Sequence, residues 1–585
     1  MPRLADPRRG ALWAALGVLA LLLLAWVAAV ALLLLRAEHR LQAGVAAAGE
    51  ARAGLSLSDL TDGAAERPLR AAAADFAAAH RDVASPWVAP LRLLPVVGTQ
   101  VRSVDALSRA AATVAGAGRS ALATVRLLVV RPHHTAAERS ALVGRLAATL
   151  AGLRRQVAGV DLGPSRGLAG RLARERARFA TDLTKLRTIL ARVGGAAGAI
   201  DALFHGHQTY LLLVGNNAEM RGGSGMALDA GTIRVDDGAI SVGHLQDTGQ
   251  LVDQFPGVRP SGDLAARWGF EYPQLDLREL FMSPQFPANA AFAARMWRAH
   301  TGRPVDGVLL VDVQALDDLL AVLGPVRADG TTLTAAGAVP YLLEQEYAGV
   351  ATPAAEQRRH ERLGALAGAV LTRLEAPGSS LTAVARALGR AAAGRHLLAW
   401  AADPRVEADW VAAGAGGAVS GDETLLALLN QGGNKLDPYQ RVSARTVVAP
   451  AGAVTRVTVR VTVRNTTPAT LQGYAAGGFP GGAPARQYDG TVALDFPLDA
   501  TGAAAPGART LEAAGPDGSA QVLAVPVAVP DGRSETVTFR FTLPGRRGTL
   551  TVEPSARLPA SVWVVTDGQR PLARFTDGRA HAFSW

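Results

Sequence analysis

Residues 11–35, "ALWAALGVLALLLLAWVAAVALLLL", run for 25 positions without a charge. Coiled into a helix, such a run measures about 37 Å, enough to cross a ~30 Å hydrocarbon core with some tilt. A cleaved leader carries a shorter apolar core of about 7–15 residues. Here the small-residue "AVA" at 29–31 is followed by more leucine, a poor context for cleavage. Arg3, Arg8 and Arg9 precede the run and Arg36 and Arg40 follow it, so the charge bias across it discriminates weakly. No second run of this kind follows, and a ten-residue tail is too short to be the working part. The expectation is a signal anchor, single-pass in the cell membrane, with residues 1–10 cytoplasmic and 36–585 extracytoplasmic.

A chain of 585 residues exceeds one ordinary core, so two to four domains are expected. Its net charge of +10 comes from 60 basic and 50 acidic residues, yet only Lys185 and Lys435 are lysines. Arginine in place of lysine, with abundant alanine and glycine, reads as coding bias in a GC-rich bacterial genome. A guanidinium fork also suits phosphate and carboxylate, which leaves room for an anionic partner. The basic residues are spread along the chain, and the anchor exports them, which argues against nucleic acid. With no cysteine, disulfides, zinc ribbons and thiol catalysis are excluded.

Residues 36–200 read as a helical stalk. Leu142, Leu146, Leu150, Leu153 and Val157 recur at helical spacing, as do Leu172, Phe179, Leu183, Leu186, Leu190 and Val193. Breaks fall at 85–98, 131–134 and 162–167, where prolines and glycines collect. From 201 to 435 short apolar runs alternate with helical patterns. "TYLLLVG", "DGVLLVD" and "HLLAWAA" read as buried strands, and Asp312 is placed to cap the helix that ends at Gly324. This predicts an α/β head domain with covered faces. From 436 onward "RVTVRVTVR" and "TVTFRFTL" alternate at period two, which predicts an antiparallel β-sandwich to residue 585. The fold class is thus multidomain α+β: transmembrane helix, helical stalk, α/β head and C-terminal sandwich.

Standard catalytic signatures are missing. Neither lysine sits in a Walker A loop, and GxSxG and HExxH do not occur. His205 and His207, and the carboxylates Glu271, Asp276 and Glu279, read as surface groups. The distinctive stretch is "TYLLLVGNNAEMRGGSGMALDAG" at 209–231. An apolar strand ends in Asn216, Asn217, Glu219 and Arg221, where open α/β sheets bind ligands. Gly222, Gly223 and Gly225 would let backbone N–H groups approach an anion. The competing reading is a capped, glycine-rich turn with Glu219 and Arg221 paired to each other.

"YLLLVGNNAEMRGGSG" resembles the signature of the domain of unknown function 4012 family, common in membrane-anchored proteins of actinobacteria and other bacteria. "LLPVVG" before it, and "SPQFPANAA", "VDGVLLVDVQALDDLLAVLGPV", "GTTLTA" and "NKLDPY" after it, agree with that family in order. The order of strand, polar loop and arginine-bearing helix (356–371) is also distantly similar to LytR-CpsA-Psr proteins. That second resemblance implies transfer of a glycopolymer from a polyprenyl-pyrophosphate carrier, with arginines on the pyrophosphate and a carboxylate holding a divalent cation such as magnesium. By position it implies Arg221 with Arg358, Arg359 or Arg362 as the anion clamp, and Asp247 with Glu219 as metal ligands. One departure stands out: the second strand ends His244-Leu245-Gln246-Asp247 where that family has Ile-Pro-Arg-Asp.

Two functions are therefore expected to compete. In one, the head binds, and in its active form transfers, a phosphate-bearing or polyprenyl-linked glycan or a cell-wall polymer. In the other, the protein is a non-catalytic envelope scaffold with a degenerate head. Asp247 and Glu219 free to hold a metal favour the first; Arg221 buried in a pairwise salt bridge favours the second.

Overall fold

The computed structural model describes residues 7–53, 65–129, 135–347, 353–376, 381–480, 482–568 and 570–585. The predicted break at 131–134 and the first six residues of the predicted tail lie outside these. Two compact units make up the chain, residues 1–201 and 202–585.

The first unit is helical: α1 (Pro7–Ala53), α2 (Glu66–Val83), α3 (Val97–Val129), α4 (Ala136–Ala158) and α5 (Gly170–Phe204). From Val18 onward α1 is long and apolar enough to cross a membrane. Leu21, Leu22, Leu23 and Leu24 are exposed, whereas Ala37 further along is buried against α2 through Ala79 and Val83. Gly44 permits this approach, since a Cβ there would stand 2.7 Å from the Phe76 ring. Thr135 and Glu138 close a capping box at the start of α4. Val157, Leu183 and Leu190, all in the predicted apolar stripes, share one small core.

The second unit contains three six-stranded sheets. The first runs β3 (Ala239–Val242), β2 (Ser224–Asp236), β1 (His207–Arg221), β5 (Gly307–Asp312), β8 (Leu397–Ala401), with β4 (Gln246–Asp247) paired to β2 off that path. β1 (His207–Arg221) and β2 (Ser224–Asp236) form a hairpin closed by Gly222 and Gly223, because Arg221 pairs directly with Ser224. Beside β1 lies β5 (Gly307–Asp312) in parallel, and β8 (Leu397–Ala401) pairs antiparallel with β5. The expected strands are present, but β1 is twice as long as its apolar run, since the polar signature continues the strand rather than ending it.

The other two sheets run, in order, β13 (Thr501–Ala504), β16 (Ser534–Pro544), β11 (Val454–Asn465), β10 (Gln440–Ala451), β18 (Val562–Asp567), β19 (Arg570–Thr576), and β14 (Ala513–Asp517), β15 (Ala520–Val529), β12 (Tyr488–Pro497), β9 (Glu423–Asn430), β17 (Thr549–Glu553), β20 (His581–Ser584). In β11 (Val454–Asn465) the residues Val457, Val459, Val461 and Val463 are buried in alternation with Arg456, Arg460 and Arg464, which are exposed. The second of these sheets is covered on both faces. In β9 (Glu423–Asn430), Leu426 and Leu428 join a core with β11 and its neighbours. Leu425, Ala427 and Leu429 join another core with Leu211, Leu213 and α6 (Phe286–Thr301). β9 thus lies ahead of the expected boundary at 436 and ties the C-terminal sheets to the first one. A strand buried on both faces reads as a continuous apolar run, as "TLLALLN" does.

Candidate functional site

The signature "GNNAEMRGG" is shaped by an irregularity in β1. Asn216 pairs with Met226 and Met220 with Gly225, so Asn217, Ala218 and Glu219 have no partner on β2 and bulge from the sheet. Bulges of this kind re-aim side chains. Asn216 accepts a hydrogen bond from the N–H of Ala218 at 2.7 Å and donates to the Tyr347 hydroxyl. Asn217 donates to Asp312 Oδ2 at 2.7 Å and to the carbonyl of Ala556 at 2.9 Å.

Asp312 is a hub. As expected it caps the following helix α7 (Val313–Leu323), its Oδ1 accepting from Gln314 N and Ala315 N at 3.0 and 3.2 Å. Its Oδ2 also meets His396 Nδ1 at 2.7 Å. Burial works against a charged His396 ring, but the Asp312 carboxylate outweighs it and holds the imidazole pKa above its ordinary value.

Glu219 and Arg221, which flank Met220, go to different partners. Glu219 forms a buried ion pair with Lys435. Burial pulls the Lys435 ammonium pKa down, with Glu219 opposing. The same ammonium lies 5.2 Å from the Tyr347 ring centre and 5.5 Å from that of Tyr474. Arg221, only 2% exposed, spends its fork inside the fold. Nη2 donates to both oxygens of Glu279 at 3.1 and 3.0 Å, Nε to the Arg278 carbonyl at 3.0 Å, and Nη1 to the Asn430 carbonyl at 2.7 Å.

Of the helix arginines, on α8 (Pro353–Glu375), Arg359 lies beside Tyr347 and Arg362 beside Glu346. Arg359 is buried and stands over the Tyr347 ring, 5.5 Å from its centre. Arg362 Nε lies 3.5 Å from the buried Glu346 carboxylate, whose pKa burial pushes up against the pull of both arginines. Arg358 is exposed. Tyr347 thus lies among charged groups of both signs: Arg359 and Lys435 beside its ring, Glu219 paired with Lys435, and Arg362 paired with Glu346.

The remaining predicted residues take structural posts. The Gly222 N–H bonds to the Phe281 carbonyl at 2.7 Å, and a Cβ on Gly222 would lie 2.2 Å from the Met282 carbonyl oxygen. Gly223 has φ 75° and its carbonyl accepts from Arg395 Nε at 3.1 Å. A Cβ on Gly225 would strike the Asn216 backbone at 2.5 Å. Asp247 accepts from Gly249 N at 2.8 Å at the start of a 3-10 turn. Among the described residues no group of three or more histidine or carboxylate side chains is arranged to hold a metal ion.

Sequence reasoning missed Lys435, Tyr347, His396, Arg395 and Asp437. Asp437 accepts from Met220 N at 3.0 Å and from Arg557 Nη1 at 2.8 Å, with its pKa raised by burial despite Arg557. "NKLDPY" at 434–439 was the available signal, since Lys435 and Asp437 both lie in it.

Together these features define a mixed α+β protein with an apolar N-terminal helix, in which a bulged strand is bound by buried ion pairs to segments far along the chain. Residues 205–347 match the family model described as "Protein of unknown function (DUF4012)", so that stretch is similar to this family. No curated protein and no solved structure matches the chain. Lys435, Asn430, Asp437 and Ala556, which hold the signature, lie beyond the matched stretch.

Proposed function

We propose that the protein is a membrane-anchored, extracytoplasmic scaffold of the bacterial cell envelope. Its head is then a degenerate LytR-CpsA-Psr-like layer fixed to a C-terminal β-sandwich, and its role is to present surfaces rather than to transfer a glycan. The observation that carries this reading is the state of Arg221. A phosphate at that guanidinium would have to displace Glu279 and the carbonyls of Arg278 and Asn430 from a site 2% exposed. Breaking such a buried pair leaves an uncompensated charge, at a cost of about 3–5 kcal/mol.

Two further facts support it. Glu219 is neutralised by Lys435 and Asp247 caps a turn, so each proposed metal ligand already has a partner. Of the glycine N–H groups expected to cradle an anion, that of Gly222 already bonds to the Phe281 carbonyl. The apolar helix from Val18 supports the anchor.

The test is binding of a polyprenyl-pyrophosphate analogue, with and without magnesium, by the full chain in lipid nanodiscs. The expected result is no saturable binding. Saturable, magnesium-dependent binding that weakens at least tenfold in Arg358→Gln or Arg359→Gln, with unfolding unchanged, would restore the glycan-phosphate reading.

A further inference from the structure

The segment between α2 and α3 carries a surface that the scaffold role does not explain. Residues 85–98, "SPWVAPLRLLPVVG", fold into a turn and a short 3-10 helix (Ala89–Leu93). Trp87, Leu93, Leu94, Val96 and Val97 are all exposed, Leu93 at 86% and Val96 at 72%. Single exposed apolar residues are ordinary, but five within eleven positions form a patch that calls for a partner.

Its place against α1 identifies that partner. Trp26 Nε1 donates to the Trp87 carbonyl at 3.0 Å. Trp26 lies ten residues before Arg36, the first charge after the apolar run, so Trp87 reaches about 15 Å along the helix into that run. Val88 and Leu91 share a core with Leu33 and Leu34 of the same helix. The patch therefore continues the exposed leucine surface of α1.

Many of the segment's backbone donors are removed or met internally. Pro86, Pro90 and Pro95 remove three N–H donors. The N–H groups of Val88, Ala89, Leu91, Leu94 and Gly98 bond to carbonyls within the segment. Its one charged residue, Arg92, turns back to the Val83 carbonyl at 3.4 Å and pairs with Asp105 at 3.2 Å. Irregular backbone is tolerated at membrane depth only when its hydrogen bonds are met internally. Tryptophan beside such a surface suits the interface between headgroups and acyl chains.

We propose that residues 86–97 are embedded in the same bilayer leaflet through which α1 emerges, as a second, non-spanning membrane contact. This rests on the anchor reading of α1. Two contacts on one rigid bundle would restrict its tilt against the membrane, which one helix alone does not do.

The native chain has no cysteine, so single reporters can be placed cleanly. Spin labels at Leu93→Cys and Val96→Cys would be compared with Leu24→Cys on α1 and with Ser120→Cys, an exposed position about 35 Å along α3 from Val97. The full chain would sit in vesicles of phosphatidylcholine and phosphatidylglycerol in equal parts. Accessibility to oxygen relative to a water-soluble nickel chelate should be several-fold higher at 93, 96 and 24 than at 120. If 24 reads as lipid and 93 and 96 read as water, the embedded segment is wrong and the anchor stands. Should 24 read as water too, the anchor itself fails. Labels at 93 and 96 shielded from both probes would mean that protein, not lipid, covers the patch, which also overturns the proposal.

Discussion

Glu219 and Lys435, 216 residues apart, form an ion pair sealed beneath the Tyr347 and Tyr474 rings. It joins the bulge of β1 to the turn leading into β10 (Gln440–Ala451), and so joins the first sheet to the C-terminal ones. Lys435 is one of two lysines in the chain and the only one that is buried.

Removing one member should therefore cost more than removing both. Lys435→Met leaves Glu219 buried without its cation, with an expected loss of about 3–5 kcal/mol in denaturant unfolding. The double variant Glu219→Gln/Lys435→Met should recover most of that loss, since no unpaired charge remains. Equal losses in the two variants would show that the pair is not what binds the sheets.

The contact between Asp312 and His396 predicts a pH dependence. The folded-state pKa of His396 is raised, so the folded protein keeps a proton that the unfolded chain releases. Its contribution is complete below about pH 6.5, the unfolded value, and is lost as pH rises through the folded pKa. The stability difference between the native chain and His396→Gln should be largest near about pH 5.5 and shrink toward about pH 9. A difference that stays constant over that range would mean His396 is neutral when folded.

The C-terminal alternation gives a sharper contrast. Val461 is fully buried between the sheets, while Arg460 is exposed and pairs across the strand with Arg445 and Thr538. Val461→Asp should cost several kcal/mol because an unpaired carboxylate enters an apolar core. Arg460→Asp should be close to neutral, because a carboxylate opposite Arg445 replaces a like-charge contact. Thermal unfolding of the two variants side by side distinguishes them, and similar losses would reverse the assignment of faces.

These contrasts mark what the sequence makes legible. β10, β11 and β16 (Ser534–Pro544) are wet on one face, so their period-two pattern is plain in the order of the residues alone. β9 is buried on both faces and loses that period, which is why a boundary placed at 436 leaves it in the wrong layer. Asp312 is legible as a cap because its partners are two and three residues away. The partners of Glu219 and Arg221 lie 216 and 58 residues on, where no local pattern points to them. Charge type alone suggested that the two would pair with each other or share an anion, and the bulge at 217–219 separates them instead.

Arg221 offers the last and most discriminating test. Its fork engages two carboxylate oxygens and the carbonyls of Arg278 and Asn430 at once, along three directions. A lysine keeps the charge but is a single point on a flexible stem, so it cannot serve Glu279 and Asn430 together. Arg221→Lys should destabilise the fold by about 2–4 kcal/mol, between the loss of a charged hydrogen bond and that of a whole buried pair. Glu279→Gln should cost less, because Glu279 is a quarter exposed and its amide oxygen still accepts one bond. If Arg221 serves an anion instead, Arg221→Lys will leave the unfolding midpoint in place and phosphate or pyrophosphate will raise that of the native chain. Unfolding curves for the native chain and both variants, with and without pyrophosphate, separate the two roles, and a pyrophosphate-dependent rise lost in Arg221→Lys would sink the structural assignment.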